Sequence, residues 1–494
     1  MRHPPRHALP TTLVACAVSA AALVPLTSAA SAAAPSCSVE YSVTSQWDSG
    51  FQGAVKITNN GAAKDSWSLS FAFADGQKVT QGWAAKWSQS GTVVTAVNES
   101  WNGALATGAS VSAGFIGSWS GANTVPTAFK LNGVTCNETT PTDPDPDPGG
   151  SGTAPALKAS GNQLVDATTG APHRILGVNR SGPEFMCVQG YGIFDGPVDD
   201  AAVKAIADWK ANAVRIPLNE ECWLGLDNVK PEYGGANYRS AIKELVDKVK
   251  ANGMTPIVEM HWSYGQYTGN SAGCSDVHAT CQKPMPDAQY APSFWSSVAS
   301  TFKDDQAVAF DLFNEPYPDR ATSSLSQAWA CWKDGGTCPG IGYEVAGMQD
   351  LVDAVRAAGA GNLILAGGLA YSNDLGQWLD HEPDDPAGNL AAAWHVYNFN
   401  TCATESCWDS TLAPVAAKVP LVAGEIGENT CSHGFVDRVM KWFDDRKLSY
   451  LGWTWNTWDC SSGPSLISAY DGTPTAYGIG LRDHLRSLAA AAGR

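Results

Sequence analysis

The chain has 494 residues, enough at about 150 per domain for two or three domains, which excludes a single small module or a minimal metal-stabilised fold. Asp and Glu outnumber Lys and Arg by 48 to 31, a net charge of −17; so acidic a surface is repelled by phosphate backbones and anionic membranes, which excludes nucleic-acid binding as the main function. Only 16% of residues are charged while 10% are aromatic, with 19 tryptophans, a composition suited to neutral polyhydroxylated partners whose C–H faces stack on rings.

Residues 1–34 read as a secretory signal: Arg2 and Arg6, an apolar run at 13–26, then Ala30, Ser31 and Ala32 as a small-residue cleavage site. The run is about 14 residues, short of the roughly 20 that a membrane span needs. The mature chain is therefore expected to be secreted, soluble and monomeric, with no membrane partner. Cys16 leaves with the signal, and 12 of the 13 cysteines remain for an oxidising compartment. Taken as near neighbours they pair as Cys37–Cys136, Cys187–Cys222, Cys274–Cys281, Cys331–Cys338, Cys402–Cys407 and Cys431–Cys460, since short loops close at the least entropic cost. Asp276 and His278 between Cys274 and Cys281 also have metal-ligand character. A disulfide-closed loop is the simpler reading in an exported chain, and neither metal nor cofactor is expected.

Residues 35–136 carry short alternating runs, such as 54–60 and 67–73, broken every eight to twelve residues by Gly, Asn, Asp and Ser, the rhythm of an all-β sandwich. The Cys37–Cys136 pair would staple its first strand to its last. Residues 137–155 repeat Asp-Pro and then turn to Gly and Ser. With no apolar side chains to bury, they read as a linker.

From 156 to 494 the rhythm becomes strand, helix, strand, helix. Eight apolar strand candidates lie at 174–179, 213–217, 255–262, 308–316, 362–368, 392–397, 420–427 and 451–458, separated by amphipathic stretches such as 238–253. Eight such units predict an α/β fold, the (β/α)8 barrel, making the chain multidomain. In such a barrel the site lies at the C-terminal ends of the strands. Those ends carry Arg215, His261, Asn314 with Glu315, His395 with Tyr397, Glu425 and Trp455. One strand-end carboxylate is weak testimony, but eight polar or aromatic residues at one rim are not helix caps. Hydrolysis of a glycosidic bond needs one carboxylic acid and one carboxylate on opposite sides of the sugar. Glu315 and Glu425, on the fourth and seventh strands, can face each other across the mouth. Arg215 and Tyr397 would hold Glu425 ionised, and a less favourable setting would raise the pKa of Glu315.

The motifs VRIP, MHW, FNEP, HVY, GEIG and WTWNTW, in this order, make residues 156–494 resemble glycoside hydrolase family 5, retaining barrel enzymes rich in cellulases and mannanases. The resemblance implies Glu315 as acid/base, Glu425 as nucleophile and Asn314 as a hydrogen-bond partner of the sugar 2-hydroxyl. It further implies that His261, His395 and Tyr397 orient substrate and carboxylates, and that Trp455 is a sugar platform. Residues 37–136 are similar to bacterial family 2 carbohydrate-binding modules. Trp47, Trp83 and Trp101 match that family's flat surface strip, with Trp67 as core and Trp87 and Trp119 open between surface and packing. A neighbour that tilts Trp83 shifts such modules from cellulose toward xylan. The expected function is a secreted endo-β-1,4-glucanase acting on cellulose or a related β-1,4-glycan. Alternatives are a mannanase, a xyloglucanase or an exo-acting β-glycosidase and, in another class, a non-catalytic carbohydrate-binding protein. Glu184, Glu220 and Glu221, after the first two strands, either bind sugar hydroxyls, narrow the cleft or are solvated loop carboxylates.

Overall fold

The computed structural model describes residues 37–136 and 154–491, apart from positions 48, 121–122, 127–128, 133 and 462. The signal expected at 1–34 and all but the last two residues of the expected linker lie outside the described residues. The chain divides into two compact units at 143/144.

The first unit is a sandwich of two antiparallel sheets. One has the order β1 (Cys37–Trp47), β2 (Gly50–Asn59), β7 (Ser110–Ser118), β4 (Lys78–Trp83). The other has the order β5 (Ala85–Ser90), β6 (Val93–Asn98), β3 (Ser68–Ala72), β8 (Phe129–Leu131), β9 (Val134–Cys136). Inward positions of both sheets bring Phe51, Phe71, Phe73, Phe115 and Phe129 into one aromatic core, with Trp67 fully buried beside them. The Cys37–Cys136 disulfide joins the first strand to the last.

The second unit opens with a hairpin, β10 (Leu157–Ser160) and β11 (Gln163–Asp166). Ala154 is already part of this unit, buried and donating its N–H to Lys250 O. Eight parallel strands then close a barrel: β12 (Leu176–Asn179), β13 (Ala213–Asn219), β14 (Thr255–Trp262), β15 (Ala309–Asp311), β18 (Ile364–Gly367), β19 (Leu390–Tyr397), β20 (Leu421–Gly427) and β21 (Ser449–Gly452). A two-residue hairpin, β16 (Gly336–Thr337) with β17 (Glu344–Val345), sits in the insertion after β15, near the Cys331–Cys338 disulfide.

Helices shield the barrel because their apolar residues recur on one face. Helix α1 (Asp200–Ala207) is capped by Asp199, whose carboxylate accepts from Ala202 N. Helix α2 (Glu220–Leu224) starts directly from β13, capped by Asn219, and stops at Gly225 with φ 72°, a left-handed position that favours glycine. Helix α3 (Ala236–Ala251) buries Tyr238, Ile242, Leu245, Val246 and Val249, one stripe at 3.6-residue period, and ends in Lys248 and Lys250, which suit the negative end of the helix dipole. Among the described residues no helix is long and apolar enough to cross a membrane.

Candidate active site

The site is assembled around one buried cation. Arg215 sits in the middle of β13 rather than at its end, with its side chain fully buried in the barrel interior. Its Nε donates to Asp311 Oδ2 at 2.8 Å, Nη1 to Glu425 Oε1 at 2.9 Å and to Asn179 Oδ1 at 3.0 Å, and Nη2 to Asn314 Oδ1 at 3.1 Å. Glu259 Oε1 stands 3.5 Å from Nη2. A buried guanidinium is tolerable only when paired in this way. Burial opposes its charge, but Glu259, Asp311 and Glu425 together raise its pKa. The carboxyls share that single cation unequally. Burial pushes Glu259 up to about 8 and Asp311 up to about 6, with Arg215 pulling each back.

Glu425, on β20, receives a second hydrogen bond, from Tyr397 OH to Oε2 at 2.6 Å. Glu315 lies four residues past the end of β15, with Oε1 3.1 Å from His395 Nδ1. Oxygens of Glu315 and Glu425 and a ring nitrogen of His395 all fall within 4.8 Å of one another. Burial raises the Glu425 pKa, and Arg215, His261 and the Tyr397 hydrogen bond counter it. Burial and then the Glu425 charge push Glu315 well above the carboxylate range, where Arg215 is the one lowering influence among its principal causes. The two carboxyls are therefore split: Glu425 ionises first and Glu315 retains the proton. Burial also lowers the pKa of both histidines, with Arg215 adding to the effect at each. They are thus neutral hydrogen-bonding groups.

Around this pair lies a cleft of about 780 Å³, whose lining includes His261, Asn314, Tyr371, Phe399, Trp453 and Trp458. Trp453 stacks on His261 with centroids 5.6 Å apart and planes at 15°. Asn314 donates to Gln282 Oε1 at 3.1 Å, and Gln282 in turn donates to the backbone oxygen of Glu315 at 3.1 Å. The loop after β14 thereby fixes the turn that carries both residues.

The structure brings Arg215, His261, Asn314, Glu315, His395, Tyr397 and Glu425 together. It does not bring Trp455. Strand β21 ends at Gly452, six residues earlier than the apolar run in the sequence, and the chain then turns inward. Trp455 N donates to Asn179 O at 2.7 Å and its ring packs edge-on against Trp209 at 4.7 Å, fully buried. A ring without an exposed face cannot be a sugar platform, and Trp453, the first residue past the strand, faces the cleft instead. Trp223, Trp295, Trp329, Trp332, Trp378 and Trp408 are likewise fully buried, whereas Trp458 lines the cleft.

Glu184, Glu220 and Glu221 are not solvated loop carboxylates: all three are buried, none lines the cleft, and each is held by hydrogen bonds within the fold. Glu184 accepts from Ser181 Oγ and from Gly182 N. Glu221 accepts from Ala279 N at 2.9 Å and from Asn228 Nδ2 at 2.7 Å, and faces His278 Nδ1 at 2.8 Å, tying α2 to the loop that Cys274 and Cys281 close by disulfide. Glu220 accepts from Tyr264 N at 2.7 Å. Its pKa is pushed up by burial and by Asp287.

Asp311, Glu259, Asn179, Gln282 and Trp453 went unrecognised in the sequence. For the first two a signal was present: a charged residue inside an apolar strand run, as in IVEMHW and AFDLF, must be buried and therefore needs a partner of opposite charge.

On the outer face of the β1–β2–β7–β4 sheet, Trp47 and Trp83 are exposed by 47% and 43%, and Trp101, in the turn after β6, is exposed by 73%. Trp47 lies over Gly50 and Trp83 over Gly114, where an added Cβ would sit 2.5 Å and 2.3 Å from the rings. In the β2–β7 register Gly50 pairs with Ser118, two alternations from Gly114, so both glycines occupy the same face. Trp87 packs at 4.8 Å from Phe115, and both it and Trp119 are partly buried.

Comparison with known proteins matches both units. The family model "Cellulase (glycosyl hydrolase family 5)" matches residues 178–459, and "Cellulose binding domain" matches 37–136. The chain is 30% identical over 478 residues to endoglucanase CelA of Streptomyces lividans, covering 93% of each. It is 56% identical over 124 residues to exoglucanase A of Cellulomonas fimi, a match spanning 25% of this chain and 14% of that protein. Among solved structures, a β-glucanase of Saccharophagus degradans superposes with a TM-score of 0.51 at 18% identity, covering 72% of this chain and 98% of that one. The last likeness speaks to the fold alone.

Proposed function

The chain belongs to glycosyl hydrolase family 5 and carries a cellulose-binding module, and from that premise we propose that it is a secreted, retaining endo-β-1,4-glucanase held on cellulose by Trp47, Trp83 and Trp101. The observation that carries the reading is the split carboxyl pair, Glu315 and Glu425, with oxygens within 4.8 Å in one cleft. That spacing suits the roughly 5–5.5 Å of retaining enzymes and leaves no room for a water between nucleophile and sugar.

In the first step a Glu425 oxygen attacks the anomeric carbon and the glycosidic C–O bond breaks. Glu315 gives its proton to the departing oxygen, leaving a glycosyl ester on Glu425. In the second step Glu315, now ionised, takes a proton from water, whose oxygen displaces Glu425 with a second inversion, so configuration is retained overall. Arg215 and Tyr397 hold Glu425 aimed and ionised, His395 holds Glu315, Asn314 meets the 2-hydroxyl, and Trp453 stacks the sugar. Aromatic residues on several loops of the cleft, Tyr371 and Phe399 as well as Trp453 and Trp458, favour binding along a chain rather than at one terminal unit. The six disulfides suit an oxidising exterior.

Reducing-sugar release from β-glucan, mannan and xyloglucan, run beside loss of viscosity, tests the substrate and the endo mode. Fast thinning of β-glucan is expected. NMR of the first-formed anomer tests the mechanism, and an inverted product would remove it.

A further inference from the structure

We propose that Phe399 is a sugar-stacking platform that lengthens the cleft by one glycosyl unit and so sets the enzyme's preference for chain length. The inference rests on the reading of the cleft as a β-1,4-glycan site.

Phe399 is 64% exposed, yet lines the same cleft as Glu315 and Glu425. A phenylalanine left this far in water forgoes most of the burial that usually places it. The segment holding it is nevertheless pinned. On one side Asn398 Nδ2 donates to Asn429 Oδ1 at 3.0 Å while Asn429 N donates to Asn398 Oδ1 at 3.2 Å. On the other, Asn400 N donates to Tyr397 O at 3.0 Å and Asn400 Oδ1 accepts from Tyr397 N, and the Cys402–Cys407 disulfide closes the next turn. The ring is stacked on Tyr397 with centroids 5.3 Å apart and planes at 15°. One face of Phe399 is thereby covered, and the outer face is left free, held in place before any ligand arrives.

Phenylalanine offers a partner no polar atom, only the π face, whose natural complement is the C–H face of a β-linked pyranose. A lone ring is too small a patch for a protein interface, which needs several hundred Å² of apolar surface. Because the covering ring is Tyr397, whose hydroxyl donates to Glu425 at 2.6 Å, Phe399 occupies the next position outward from the reacting carboxylates.

The test is a length series on the full chain and its Phe399→Ala and Phe399→Trp variants, with cello-oligosaccharides from three to six units. For Phe399→Ala, kcat/KM should fall by about five- to tenfold on the hexamer and by less than twofold on the trimer, with the loss in KM, and Phe399→Trp should recover the hexamer value. A loss equal at all lengths and carried by kcat, with a displaced pH profile, would mean that the ring acts only by packing Tyr397 and would overturn the proposal. So would full activity of Phe399→Ala on the hexamer. Should the wild type cleave manno-oligosaccharides instead, the glucanase reading fails, and the same series in mannose decides Phe399 separately.

Discussion

The two units use the same residue type in opposite ways. In the sandwich, Trp47, Trp83 and Trp101 stand out in solvent, two of them laid on glycines. In the barrel, nine tryptophans are among the largest fully buried side chains, and Trp453 and Trp458 face the cleft. Among the described residues the sandwich buries no charged side chain, and its exposed rings need none. The barrel does its chemistry with charges so deeply buried that one arginine shares three carboxyls. Surface stacking tolerates salt and pH, whereas a buried charge cluster is sensitive to every proton and every lost partner.

Glu425→Gln should separate the two uses most sharply. The amide keeps the shape of the side chain but removes the nucleophile, so turnover should drop by several orders of magnitude while binding to insoluble cellulose is unchanged. Hydrolysis assays beside pull-down on cellulose check this, and retained turnover would dismiss Glu425 as nucleophile.

A smaller, selective loss is expected for Glu315→Ala. Both steps slow on polysaccharide, but the first is spared for aryl glycosides whose leaving group needs no proton, and azide in place of water should restore deglycosylation. The wild-type rate should fall on the acid side as Glu425 takes a proton and on the alkaline side as Glu315 loses one. The alanine variant should lose the alkaline limb.

Much of this site was legible because barrel strands read as continuous apolar runs, so a polar residue within or just beyond one stands out: Arg215 in VRIP, His261 in EMHW, Glu425 in GEIG. Register at the strand ends was not legible. The run from 451 to 458 stays apolar past Gly452 because Trp455 enters the core, and nothing local distinguishes Trp453 from Trp455, two residues apart and of the same type. Their opposite fates are set by Asn179 and Trp209, far away in sequence. The roles of Glu220 and Glu221 were hidden for the same reason, since Tyr264 N, Ala279 N and His278 lie more than forty residues away.

The pH dependence of stability should separate the units next. Glu259, held at about 8 by burial against the pull of Arg215, keeps its proton in the folded chain where an unfolded carboxyl, with a pKa of about 4.3, has lost it. Folding then takes up a proton, and barrel stability falls as pH rises from about 4.3 through 8. Glu259→Gln should flatten that part of the slope in the barrel's thermal transition. An unaltered slope would place the proton elsewhere in the cluster.

The smallest effect, and the finest test of the contrast, belongs to Gly114. Its missing side chain is what lets the Trp83 ring lie on the sheet, since a Cβ would stand 2.3 Å from Cζ2. Gly114→Val must lift or tilt the ring, although valine suits a strand and should leave the fold intact. Cellulose affinity should weaken by up to about tenfold, the scale of one aromatic contact, as it would for Trp83→Ala, with hydrolysis of soluble oligosaccharides unaffected. Ser112→Val, on the same face of β7 two residues away and exposed, controls for the added valine. If both variants bind like the wild type, the ring needs no flat seat and the strip does not depend on the glycine. A preference that moves from cellulose to xylan in Gly114→Val alone would show that ring tilt, not ring number, sets what the module recognises.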